Sequence, residues 1–179
     1  TEYAISGDEK YLACATETTG GAIDGVSVRD LTAATATSIA SGLGRYTNLA
    51  FATDADTLAF LSDASSYAGD APLPDLLLWT PAASTARVVA HLGSAGLPRG
   101  YTPHANGDGS FTKDGTLLYF GTNAAPKPVP SDTPAPMQVD LWNWRDGRLQ
   151  AEQQVEADAD AKQTFAAVLH VDSLKIVQL

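Results

Sequence analysis

The stretch FATDADTLAFLSD, residues 51–63, sets the pattern of this chain: a turn of short acidic residues runs straight into an apolar strand. The same figure stands earlier as GDEKYLACAT, residues 7–16, and later as FTKDGTLLYFGT, residues 111–122. The three turns are Asp8-Glu9, Asp54-Ala55-Asp56 and Asp114-Gly115, and the strands after them carry Leu12, Leu58 and Leu118. Short carboxylates cap turn amides and glycine accepts positive φ, which is why these residue types open a strand. A second figure interleaves with the first: VSVRDLTAATATSI from Val26, DLLLWTPAASTARVVA from Asp75 and VDLWNWRDGRLQAEQQ from Val139. Each reads as strand, tight turn, strand, and together the two figures describe short antiparallel hairpins.

Leu12 and Leu58 lie 46 residues apart, and Leu58 and Leu118 lie 60 apart. The first interval matches a four-stranded propeller blade of roughly 40–50 residues, and the second needs insertions, which Ser65 to Pro74 and Gly93 to Gly109 supply. The expected class is all-β, a β-propeller fragment of about three to four antiparallel four-stranded blades. The approximate blade units are 1–44, 45–92 and 108–157, with a partial unit at 163–179 built from FAAVLHV and LKIVQL. Propeller closure normally takes at least about four blades, so the expectation is an incomplete ring, with an ordinary β-sandwich as the competing arrangement. The tract APKPVPSDTPAP, residues 125–136, disfavours both strand and helix and reads as an exposed loop within the third unit. Glu152 to Phe165 reads as a polar connection or a short helical turn.

The 179 residues suit one domain, and an apolar share of 44% with only 8% aromatic residues points to a core of small side chains between regular layers. A formal charge of -10 repels phosphate backbones and anionic lipid, which argues against nucleic-acid or membrane-surface binding. No apolar run approaches the ~20 residues of a membrane span. Cys14 is the single cysteine, which excludes an intrachain disulfide and a cysteine-rich metal site; it reads as a small strand residue, buried or half-buried. The chain starts at Thr1 without methionine, and a cut start is expected.

Among residues able to carry chemistry, His91 and His170 read as strand-edge positions, whereas His104, in YTPHANGDGS, lies in an inserted loop and is the histidine expected to face a channel. NGDGSFTKDGT alternates Asn106, Asp108 and Ser110 as a calcium loop does. It places Phe111 and Leu117 where that loop needs glycine and a bidentate acid, so adjacent turns explain it better. Asp54, Asp56 and Asp63 are spaced as a candidate carboxylate cluster, but turn capping explains the first two without a metal, and Glu156, Asp158 and Asp160 read as a solvated acidic face. Trp142 and Trp144, two apart on an extended strand, share one face and suit blade packing or an interface or channel contact.

The segment VDLWNWRDGRLQAEQQVEADADAKQ, Val139 to Gln163, resembles a blade of the N-terminal propeller of secreted bacterial peptidases in the prolyl oligopeptidase family. Asp140, Leu141, Trp142, Trp144, Asp146, Leu149 and Gln150 carry the likeness, and the turn-plus-strand copies extend it along the chain. The resemblance implies a propeller that gates or orients peptide substrates for a C-terminal α/β-hydrolase domain holding the serine, aspartate and histidine. This chain has no glycine-x-serine-x-glycine elbow and no βα alternation to carry one; GSAG from Gly93 has the wrong spacing. The expectation is therefore a segment with no catalytic residue, cofactor or metal site of its own, periplasmic or secreted. Its expected partners are the hydrolase domain and peptide, with self-association open through uncovered blade faces. The alternative is a stand-alone protein-interaction or periplasmic binding propeller.

Overall fold

Each turn-plus-strand copy folds as the first hairpin of an antiparallel sheet. The computed structural model describes residues 2–69, 71–126 and 162–179, with the single positions 145, 147, 152, 155, 156 and 159. The first sheet is a meander of β1 (Glu2–Ile5), β2 (Tyr11–Thr16), β3 (Gly25–Asp30) and β4 (Thr35–Ser41). The second repeats it with β5 (Tyr46–Phe51), β6 (Leu58–Ser62), β7 (Asp75–Trp79) and β8 (Arg87–Ala90). In the third, the opening strand is broken in two, β9 (Tyr101–Pro103) and β10 (Ser110–Phe111). Both pair with β11 (Leu117–Ala124), followed by β12 (Phe165–His170) and β13 (Lys175–Gln178). Two four-stranded meanders and a third of the same plan with its opening strand broken in two, packed face to face, are blades, and the architecture is an all-β propeller fragment.

The turns hold by a repeated side-chain clasp. The Asp8 carboxylate accepts from Ser6 Oγ at 2.7 Å and from Lys10 N at 3.1 Å, while Ser6 Oγ accepts from Tyr11 N at 2.9 Å. Thr112, Asp114, Thr116 and Leu117 repeat the clasp in the third blade, at 2.6 Å for Thr112 Oγ1 to Asp114. These hydrogen bonds satisfy backbone amides that the turn leaves without a ladder partner. Asp8 and Asp114 are both held below the ordinary aspartate value of 3.8, chiefly by the hydroxyl bonds from Ser6 and Thr112. The middle blade has the fully buried Ala52 in the hydroxyl's place, and Asp54 N donates instead to Lys113 O at 2.9 Å, joining the second blade to the third.

Packing follows from strand alternation. Every residue of β6 is buried: Leu58 and Phe60 face the first blade with Tyr11, Val26, Ile39 and Trp79, while Ala59 and Leu61 face the third with Leu118, Phe120 and Leu169. Tyr11 and Trp79 meet edge to face at 5.8 Å across the first interface. Alanines at 13, 15, 59, 90 and 167, all nearly inaccessible, let the sheets approach closely. Each fully buried Leu or Phe contributes roughly 1.5–3 kcal/mol. The far sides of the outer blades stay open, with Tyr3 71% and Ile5 50% exposed on one, and Tyr119 and Val177 exposed on the other.

The blade boundaries differ from expectation. Residues 163–179 do not begin a fourth unit: β12 pairs with β11 from Leu117↔His170 to Thr122↔Phe165, and β13 completes the same sheet. The segment 125–164 separates these strands from β11 in sequence, and the ladder joins them in space. The third blade also starts earlier than residue 108, at Tyr101 in β9. The sheets belong to one unit, Thr1–Pro126 with Thr164–Leu179, and Lys127–Gln163 is a second. Within the second, Glu152, Val155, Glu156 and Ala159 have helical backbone. Trp142 and Trp144 lie outside the described residues.

Candidate functional site

Tyr46 pairs with Ser62 at one end of the second sheet, so the next residues outward, Arg45 and Asp63, face each other. Asp63 is only 4% exposed, and a buried carboxylate needs partners. It finds two: Oδ1 accepts from Arg45 N at 2.7 Å and Oδ2 from Arg45 Nε at 2.9 Å. The Arg45 side chain is itself 62% exposed, so the pair has one end buried and one in solvent.

A loop and a broken strand build the walls beside this pair. Ser66 Oγ donates to Leu73 O at 3.0 Å and accepts from Leu73 N at 2.8 Å, which staples the turn carrying Pro72, Leu73 and Pro74. Thr102 Oγ1, on the buried face of β9, donates to Pro74 O at 3.2 Å and ties that turn to the third blade. His104 opens the break between β9 and β10. His104 N donates to Gly121 O at 2.9 Å, and its Nδ1 accepts from Asn106 N at 3.2 Å. The break crosses β11 at two glycines: a Cβ on Gly107 would stand 2.3 Å from Gly121 Cα, so neither position has room for a side chain.

These elements enclose a cavity of about 250 Å³. Arg45, Asp63 and His104 supply its charged and titratable side chains; Leu61, Pro72, Leu73, Pro74, Ala124 and Pro126 supply apolar wall. His104, expected to face a channel, lines this cavity. Sequence reading missed the Arg45–Asp63 pair, since the two stand 18 positions apart and only the β5–β6 register brings them together. The available signal was Asp63 itself, an acid directly after an unbroken apolar strand.

The other titratable positions stand elsewhere. His170 ends β12 in the open, opposite Leu117 and Lys175, and His91 is exposed after β8. Cys14 is half-buried on β2. Asp108 is exposed, and Asp114 closes its own turn, which leaves the calcium-like spacing explained by turns. Among the described residues no group of three or more His, Cys, Asp or Glu is placed to hold a metal. A second cavity, of about 310 Å³ between the first and second blades, is lined by Ser38, Ser41, Tyr46, Ser62 and Asp75 and has no cationic side chain. Burial pushes the Tyr46 phenol up, and its hydroxyl donates to Gly42 O at 2.9 Å.

Fold and cavity together define a class: a propeller fragment carrying hydrogen-bond donors and apolar wall at the loop end of its sheets. No family model matches the chain, and no curated protein matches it. Among solved structures, it aligns with the crystal structure of TolB from Acinetobacter baumannii at a TM-score of 0.30 and 11% identity, over 100% of this chain and 43% of that one. The chain thus spans less than half the length of that structure.

Proposed function

We propose that these blades are the non-catalytic propeller portion of a prolyl oligopeptidase-like serine peptidase. In this reading they bind peptide and orient or gate it for a hydrolase domain not present in the chain, in the periplasm or outside the cell. The supporting observation is the cavity at Arg45. It combines donors fixed in position by Asp63 and by the His104 loop with a proline- and leucine-rich wall, the mixture that holds a peptide by its backbone and a small side chain. The test has two parts on the full chain. A fluorophosphonate probe should leave it unlabelled, and a fluorescein-labelled proline-containing octapeptide should bind saturably. Labelling would contradict a non-catalytic role, and absence of binding would contradict peptide orientation.

The exposed outer faces favour a second reading, a stand-alone interaction propeller or periplasmic binding scaffold. Tyr3 and Ile5 on the first blade and Tyr119 and Val177 on the third offer apolar surface to a protein partner or a second copy. Sedimentation equilibrium separates the readings: concentration-dependent dimers abolished by Ile5→Lys would favour the interaction scaffold.

A further inference from the structure

We infer that the Arg45 cavity is a subsite for a carboxylate borne on one small apolar group, such as the free C-terminal residue of a peptide or a small carboxylic acid; this rests on the peptide-binding reading above. Both Asp63 oxygens are already occupied, one by Arg45 N and one by Arg45 Nε. The guanidinium is thereby oriented through its Nε edge, and its two terminal nitrogens, on a side chain 62% exposed, have no hydrogen-bond partner among the described residues. That free edge is a planar pair of donors, the geometry that matches the two oxygens of a carboxylate. His104 adds a second donor. Its Nδ1 accepts from Asn106 N, so the neutral ring carries its proton on Nε2.

The site disfavours other ligands. A cation meets Arg45 first, because Asp63 is buried beneath it with both oxygens engaged. Size limits the ligand as well. A cavity of about 250 Å³ accommodates one residue with its terminal carboxylate, and the remainder of a peptide would run out through the open side. The wall from Pro72 to Pro74, with Leu61, Ala124 and Pro126, favours proline or a short aliphatic side chain. Since the chain carries a net charge of -10, long-range attraction does not bring an anion here, and recognition depends on these short-range donors.

The test is fluorescence anisotropy on the full chain with a labelled pentapeptide ending in Leu-Pro, as the free acid and as the C-terminal amide, with N-acetylproline as competitor. The free acid should bind at least about tenfold tighter than the amide, and Arg45→Gln should abolish that difference while circular dichroism shows the fold intact. His104→Ala should weaken the acid severalfold and His104→Gln, which keeps a donor, should weaken it less. Displacement of the peptide by N-acetylproline shows that a small acid suffices, and its failure assigns the site to peptide termini; both sustain the carboxylate chemistry. Equal affinity for acid and amide, or discrimination that survives Arg45→Gln, overturns the inference and leaves peptide binding standing. No binding of either form removes both.

Discussion

The Glu2 carboxylate takes up the backbone amides that a bulge at Asn48 withdraws from the β5–β6 ladder. Oε2 accepts from Asn48 N at 3.0 Å and Oε1 from Leu49 N at 2.8 Å, where the register shifts between Thr47 and Ala50. Asn48 sits at φ 58, a left-handed conformation that asparagine tolerates better than most residues. From there its Nδ2 donates to Ala105 O at 3.0 Å and Gly107 O at 3.2 Å. One residue therefore links the first blade, the second blade and the broken strand that carries His104.

Glu2→Ala should cost about 1–2 kcal/mol in urea unfolding, because two partly buried amides lose a charged acceptor. Glu2→Gln, which keeps one oxygen, should cost less. Asn48→Gly should preserve the backbone and lose only the two donors to the 104–109 loop, whereas Asn48→Val should be worse than either, since a β-branched residue resists positive φ.

Gly121→Ala should displace the loop at His104, because its new Cβ would meet Gly107 Cα at 2.5 Å. Backbone cannot yield there as a flexible side chain would, and a loss of about 1–3 kcal/mol is expected. Chemical denaturation measures the cost, and the His104 ring resonances should shift.

Leu169→Ala should destabilise the chain by about 2–5 kcal/mol, as for a large-to-small change in a closed core. Leu169 is inaccessible and packs with Leu61, Leu76 and Leu118, so β12 belongs to the core between the second and third blades. Removing residues 165–179 should likewise strip hydrogen-exchange protection from the Leu118 and Phe120 amides. Unchanged protection would contradict the third sheet's composition.

The turn clasps should be visible in carboxyl NMR titrations. Asp8 and Asp114 should titrate below 3.8, and Ser6→Ala or Thr112→Ala should move the matching carboxyl back up. A carboxylate depressed in the folded state adds stability above its unfolded pKa and loses it as pH falls through the folded one. Any contribution from these two groups is therefore full at neutral pH and disappears in acid, below 3.8. Both are exposed, so added salt should reduce the effect.

Local chemistry made the repeats legible. A short turn acid before an apolar run favours a hairpin, and residues 7–16, 51–63 and 111–122 each form one at the start of a blade. The apolar run LAFLS, Leu58 to Ser62, matches a central blade, which buries both faces of its strand. Long-range pairing was not legible. Phe165 joins Thr122 across the segment 125–164, and no local pattern encodes that separation. The short β9 was hidden for a related reason: Tyr101–Pro103 is three residues long, and its register depends on Asn123 and Ala124. His104 could be singled out from its loop. Arg45 could not, because its role comes from a buried acid 18 positions on that only the β5–β6 register brings beside it.

The most direct measurement of where ligand is held is an amide chemical-shift map of the full chain titrated with the proline-containing octapeptide. Shifts concentrated at Arg45, Thr102, His104 and Ala105 are the predicted result. Shifts concentrated on the open face at Tyr3, Ile5 and Leu12, with the Arg45 cavity unmoved, would contradict peptide recognition at the loop end of the blades.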